Sequence, residues 1–315
     1  MAKWVAWLLS FFIISNIGHA QEMSVTQRAK RYVGADLYLS QTLGTGAISK
    51  NLSSDNSFSS GLTIYPTLKS EKFWGDRSIK AFLEFNTSYE WNQEAASTNR
   101  LDFTDVKLRV QLKNALSAKS IGINFTPGLK IEIPTSHASN VVNRLVGIGS
   151  NMSLTWEKWG LSLSYKPTFI SYIHTSPFKS TSCSPDAPAG DNLGNGQCRV
   201  DGRQTMLMLK NGLFASYSLG EHSITGGMRA YHGFLRAPSA QSGDNPVGQT
   251  YTEATLGILE YAYSLPVKMP VALSFGITSY NGSYDPNSGF RVPFFSSNPL
   301  ASNFSSLYFA VDLTI

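Results

Sequence analysis

Charge is the first thing this 315-residue chain is short of: Asp, Glu, Lys and Arg make up 15% of it, against roughly a quarter in an ordinary soluble domain. The formal net charge is +5, and removal of the first twenty residues, which hold Lys3, leaves +4. No basic run gathers that excess, so the electrostatic footprint of a nucleic-acid binder is missing. Cysteine is scarcer still, at two residues, Cys183 and Cys198. With no further Cys and no His at ligand spacing beside them, a thiolate metal site is excluded. No Gly-rich phosphate loop or metal-ligating cluster occurs, and the chain calls for no metal and no cofactor. Beyond Ala20 no apolar run is long enough for a spanning helix, so any later membrane crossing must use strands.

Residues 1–20 carry the parts of a secretory signal in order. Lys3 gives the positive start, Trp4 to Ile14 the apolar core, and Gly18-His19-Ala20 a small-x-small cleavage site. We expect a signal peptide (1–20), a short polar leader (21–31) and one domain (32–315). In an exported chain Cys183 and Cys198 are expected to form a disulfide. Closing a loop of that size is worth roughly 3 kcal/mol in the chain-entropy model.

What the chain has instead of charge is Gly, Ser, Thr, Asn and aromatics, a composition that suits strands and turns. The stretch Val106-Lys107-Leu108-Arg109-Val110-Gln111-Leu112-Lys113 alternates aliphatic and polar residues without a break. A strand has a side-chain period of two, so one face is wholly apolar and the other mostly cationic, whereas a helix would scatter the charges. Similar alternation recurs along the chain, as in Ile79 to Trp91, Ile121 to Ile131 and Leu307 to Ile315. It yields about twelve strands. The second is expected to stop near Pro66. A bulge near Leu259 is expected to turn Tyr261 and Tyr263 to the side of Ala254, Leu256 and Ile258 and keep Glu260 off it.

The connections sort by parity. Odd-numbered ones are mostly long and polar, and even-numbered ones are short apart from Pro66–Asp76. A transmembrane barrel has this pattern, with long loops outside and short turns in the periplasm, and a soluble sandwich has no reason for it. The chain thus reads as an all-β, antiparallel up-and-down barrel in the outer membrane. Trp91, Trp156, Trp159, Tyr165, Tyr261 and Tyr263 fall near strand ends, where aromatic girdles meet headgroups. An outward Lys or Arg at mid-membrane costs roughly 2–4 kcal/mol, which points Lys107 and Arg109 into the lumen.

On these features the chain resembles bacterial outer-membrane β-barrel proteins of the twelve-strand class. The resemblance implies a Gram-negative outer membrane, with lipid, lipopolysaccharide and the barrel-assembly machinery as partners. The final strand resembles the family's assembly signal, except that Ile315 stands where Phe is usual.

Three readings of function follow. In the first, Lys80, Glu84, Lys107, Arg109, Lys130, Glu132, Lys210 and Arg229 line a narrow charged lumen, with Asp36, Glu253 and Asp312 also inward. Lys107, Arg109 and Lys130 would form a basic wall and Glu84 and Glu132 would face or interleave it, passing small polar or anionic solutes. The competing expectation is that these charges pair and plug the lumen. In the second, His137-Ala138-Ser139-Asn140 looks like outer-membrane phospholipase A, which implies Ser139 as nucleophile, His137 as base and Asn143 as orienter, with His137 and Ser139 on the lipid face. That family's longer insertion before its Asn and its Gly after Ser-Asn are missing here. In the third, a closed structural or adhesive barrel acts through its outer loops.

Overall fold

The computed structural model describes residues 33–44, 58–70, 77–90, 101–175, 179–182, 192–194, 197–200, 204–235, 251–267, 270–282 and 305–314. Twelve antiparallel strands close into one barrel. They are β1 (Val33–Gly44), β2 (Phe58–Lys69), β3 (Ser78–Glu90), β4 (in two pieces, Leu101–Phe103 and Val106–Lys113), β5 (Ile123–Ile133) and β6 (Arg144–Lys158). Then follow β7 (Leu161–His174), β8 (Thr205–Leu219), β9 (His222–Leu235), β10 (Tyr251–Ser264), β11 (Val271–Gly282) and β12 (Ser305–Thr314). Each pairs with its neighbours in sequence, and β1 closes the ring on β12 with Asp36 opposite Thr314 and Leu43 opposite Leu307. Closure removes the sheet edge, which is the condition for strands in hydrocarbon.

Burial shows which side meets lipid. On β5, Leu129, Ile131 and Ile133 are exposed, while Lys130 is only 5% exposed and Glu132 only 4%. Exposed aliphatics alternating with buried charges invert a soluble sheet and fit a barrel in a bilayer. The same outward phase runs through Ile79 and Phe85, Leu154 and Met152, Leu213 and Tyr217, and Phe275 and Phe309.

The even connections are 70–77, 114–122, 159–160, 220–221 and 265–270, and the strand ends joined by the odd ones are at the opposite end. Trp159 (φ 54°) and Gly160 (φ 77°) make a two-residue hairpin turn. Positive φ at both residues matches the twist of the flanking strands, an arrangement that Gly tolerates and Trp adopts only under constraint. Lys158 Nζ sits 4.4 Å from the centre of the Trp159 ring. Trp159, Tyr217 and Tyr261 are all exposed near this end.

Several expectations are corrected. The second strand runs on to Lys69, with Pro66 opposite Ala35 and Leu68 opposite Val33. Proline forfeits one ladder bond there, and the neighbouring pairs hold the strand. The longest even connection shrinks accordingly. No bulge interrupts β10: its register with β9 and β11 is continuous from Ala254 to Tyr263. Leu259 and Tyr261 are outward, which places Leu256, Ile258 and Glu260 inward and Glu253 outward. Glu253 pairs with His232 at 3.1 Å on that outward face. The bulge lies instead in β4, where Thr104 and Asp105 stand between its pieces: β3 pairs Thr87 with Phe103 but Glu84 with Lys107.

Candidate functional site in the barrel lumen

The inward face of β3–β5 gathers five charges. Glu84 accepts from both Lys107 Nζ and Arg109 Nη2 on β4. On β5, Lys130 Nζ lies 2.6 Å from Glu132 Oε1. The register sets Lys107 between Glu84 and Glu132, and Arg109 beside Lys130. Desolvating so many charges is costly, and mutual pairing offsets the cost. Lys80 lies 3.8 Å from Asp36 and 5.3 Å from the centre of the Phe82 ring. Seven residues expected in the lumen thus come together, but paired with one another. Glu84 and Glu132 do not form an opposing acidic wall.

Further round the ring the pairing stops. Lys166 (β7), Lys210 (β8) and Arg229 (β9) face inward, and no carboxylate among the described residues lies within 4.0 Å of any of them. They rest on aromatic faces: Lys166 Nζ and Arg229 Cζ are 5.2 and 5.6 Å from the Phe214 ring centre, and Lys210 Nζ is 5.5 Å from that of Tyr231. Aromatic faces attract cations without neutralising them.

Further inward acids lie on the remaining strands, and among the described residues Glu260 and Asp312 have no basic partner within 4.0 Å. Glu260 on β10 accepts a 2.6 Å hydrogen bond from the Tyr308 hydroxyl of β12, and Asp312 shares the inward face of β12. Asp36 of β1 stands two residues off the position opposite Asp312 across the closing seam, and pairs with Lys80. β11 contributes no charged residue at all. The lumen is therefore polarised, with excess cations along β4–β9 and acids along β10, β12 and β1. Lys166 and Glu260 were missed as lumen residues. Alternation with Tyr165 marks Lys166, and the bulge assumed near Leu259 left Glu260 unassigned.

Above the charges, the connection 134–143 folds inward over the rim. Ser136 caps a single helical turn, α1 (His137–Val141), and its hydroxyl accepts from the Ser139 amide. Asp105, in the β4 bulge, holds the cap. Its Oδ1 accepts from the amides of Thr135 (3.1 Å) and Ser136 (3.0 Å) and from Ser136 Oγ (2.7 Å). Its Oδ2 accepts from Ser139 Oγ and, at 2.8 Å, from Arg144 Nη1. Burial pushes the Asp105 carboxyl up, but the bonds from Ser139 and Ser136 and the Arg144 charge outweigh it, so its pKa falls below the usual range. Arg144 stacks 4.0 Å from the Tyr172 ring centre, and Tyr172 stands across Gly147 from Glu132, which links rim to lumen. Behind α1, the Val142 carbonyl accepts from Gln204 Nε2 (2.7 Å) and lies 2.9 Å from His174 Nδ1.

This geometry corrects the hydrolase arrangement. Ser139 is 2% exposed, on the lumen side, with its hydroxyl donated to Asp105 and also accepting from Arg144 at 3.1 Å. It is not on the lipid face, because Pro134–Ser136 end the strand phase on which that parity depended, and the side chain of His137 lies outside the described residues. Asn143 (φ 51°) turns the chain out of α1, and its carbonyl accepts from the Thr175 amide at 2.9 Å.

A search of family models matched none, and none of the curated proteins matched. Among solved structures the chain is similar to an outer membrane channel from Pseudomonas putida F1, at 12% identity and a TM-score of 0.52. That match covers 90% of this chain and 95% of the other. The fold is that of an outer-membrane β-barrel. Looser matches include the outer membrane phospholipase dimer of Salmonella typhi with bound calcium (15% identity, TM-score 0.35, covering 90% of each chain). OccK7 of Pseudomonas aeruginosa is another (6% identity, TM-score 0.34, covering 90% of this chain and 99% of that one). At these identities the likeness is one of fold. Within this barrel the signal peptide, Cys183, Trp91 and Ile315 lie outside the described residues. A cavity of about 720 Å³ opens around Gly226, lined by apolar residues such as Leu163, Leu213 and Leu259.

Proposed function

We propose that the barrel is a narrow channel for small polar or anionic solutes, driven by their concentration gradient. The observation that carries this reading is the polarised lumen. A field across the bore orients dipolar solutes, and an excess of cations along one wall favours anions. The buried pairs around Glu84 and Glu132 narrow the bore without leaving bare charges in it. Removal of residues 1–20, a Cys183–Cys198 disulfide, insertion by the barrel-assembly machinery and contact with lipid and lipopolysaccharide belong to the same reading. Lipid hydrolysis is the weaker alternative, because the hydroxyl of Ser139 is bonded into the rim.

Recording from the refolded mature protein in a planar bilayer tests the channel. Discrete current steps are expected. Verified insertion without steps would remove the channel reading and leave a closed barrel that acts through its loops.

A further inference from the structure

Three inward glycines share one device. Gly147 stands in register between Glu132 and Tyr172. A β-carbon there would meet the Tyr172 ring at 2.9 Å and the Glu132 β-carbon at 3.2 Å. Gly276 stands between Glu260 and Tyr308, and a β-carbon there would fall 2.6 Å from the Tyr308 hydroxyl. In both cases the missing side chain lets a tyrosine and a carboxylate approach over the middle strand, and at Gly276 the tyrosine hydroxyl bonds the carboxylate.

The third case breaks the rule. Gly212 stands in register between Lys166 and Arg229. A β-carbon there would meet the Phe214 ring at 2.7 Å and lie 3.5 Å from Arg229 Nε. Phe214 also covers Gly227, where a β-carbon would lie 2.3 Å from the ring. Two glycines thus clear the wall for one flat ring, and two cations, Lys166 and Arg229, lie within 5.2 and 5.6 Å of its centre. Lys210, one inward position along β8, adds a third positive charge, with Lys130, Glu132 and Lys107 close enough to act on it. Lys166 and Arg229, with no carboxylate within 4.0 Å among the described residues, repel each other. The other two crossings each contain a carboxylate, and this one does not.

We infer that Lys166, Arg229 and Lys210 form a binding station for a small oxyanion, a phosphate or a carboxylate. This inference rests on the channel reading and names the solute class. The oxyanion bridges the Lys166 ammonium and the Arg229 guanidinium over Gly212. The planar fork of Arg offers two parallel N–H donors, and Lys offers a point charge. Phe214 fixes both stems, so little side-chain freedom is lost on binding. Lys166 is exposed and Arg229 half-buried, so the station is open to solutes in the bore.

Calorimetric titration of the refolded mature barrel at fixed ionic strength tests the station, with inorganic phosphate in one arm and acetate in the other. Folding of every variant is checked by the shifted gel mobility of an intact barrel. Saturable binding is expected, weakened roughly tenfold or more in Arg229→Gln and in Lys166→Gln, because each loses a charge-assisted contact. Gly212→Ala, which displaces Phe214 and Arg229 but removes no charge, is also expected to weaken it. Lys158→Gln, at a turn, is not. Saturation by phosphate alone or acetate alone supports the station and fixes its class. No saturable binding of either, or binding unchanged in Arg229→Gln and Lys166→Gln, overturns it. Binding without current steps would sink the channel and leave the station standing. Current steps with no anion binding would sink the station alone.

Discussion

The Tyr308 hydroxyl reaches across Gly276 to the Glu260 carboxylate, 2.6 Å away, and so joins β12 to β10 over the intervening strand. Gly276→Ala places a β-carbon 2.6 Å from that hydroxyl and 2.7 Å from the Leu259 carbonyl, which is backbone and cannot swing aside. A loss of about 1–3 kcal/mol in stability is expected, as for other overpacked sites. Urea unfolding in detergent micelles measures it. Tyr308→Phe should cost about 1 kcal/mol by removing the bond alone, and equal losses in the two variants would argue against a steric role for Gly276.

Asp105 gives the rim a pH dependence of definite sign. Its carboxyl pKa lies below the usual range, so its contribution is fully present above the ordinary Asp value and is lost as pH falls through the depressed one. Exchange protection of the Thr135 and Ser136 amides, both bonded to Asp105, is expected at neutral pH and should decline in acid. Asp105→Asn should lower that protection by about 2–3 kcal/mol at neutral pH, the scale of bonds to a charged group. Protection that ignores both the acid and the substitution would show that another group holds the connection.

Ser139→Ala separates rim architecture from catalysis. The hydroxyl bonds Asp105 and Arg144, so its loss should weaken the rim by about 1–2 kcal/mol, seen as lower amide protection around α1. Hydrolysis of phospholipid vesicles should stay at the blank rate in wild type and variant alike. Turnover that vanishes with Ser139→Ala would restore the lipase reading.

The processing expectations need only an intact mass. The exported protein should weigh what Gln21–Ile315 weighs less two hydrogens, and should gain them on reduction. A retained N-terminus or two free thiols would refute the corresponding expectation.

Much of the barrel was legible because strand and bilayer impose the same period of two. At Val106–Lys113 that period is unbroken, and the structure places Leu108 outward and Lys107 and Arg109 on Glu84. Phase was lost where the sequence carries apolar residues on both faces. In β10, Leu256 and Ile258 compete with Leu259 and Tyr261, and only pairing with β9 and β11 decides between them. Pro66 read as a stop because local propensity favours one, and pairing across β1 overrode it. The rim could not be read at all. Asp105 finds Ser136 and Ser139 through a bulge and a one-turn helix, more than thirty residues apart in sequence. Which acids face which cations depends on ring position, and no local pattern encodes that.

The most direct test of a polarised conducting lumen is the reversal potential of the reconstituted protein in a KCl gradient, compared between two neutralisations. Glu84→Gln frees Lys107 and Arg109 from their shared partner and should move selectivity towards chloride. Lys107→Gln with Arg109→Gln removes two cations from the same wall and should move it towards potassium. Shifts of opposite sign are the expected result. Identical reversal potentials in wild type and both variants would contradict the account, because ions would then be crossing without meeting these charges.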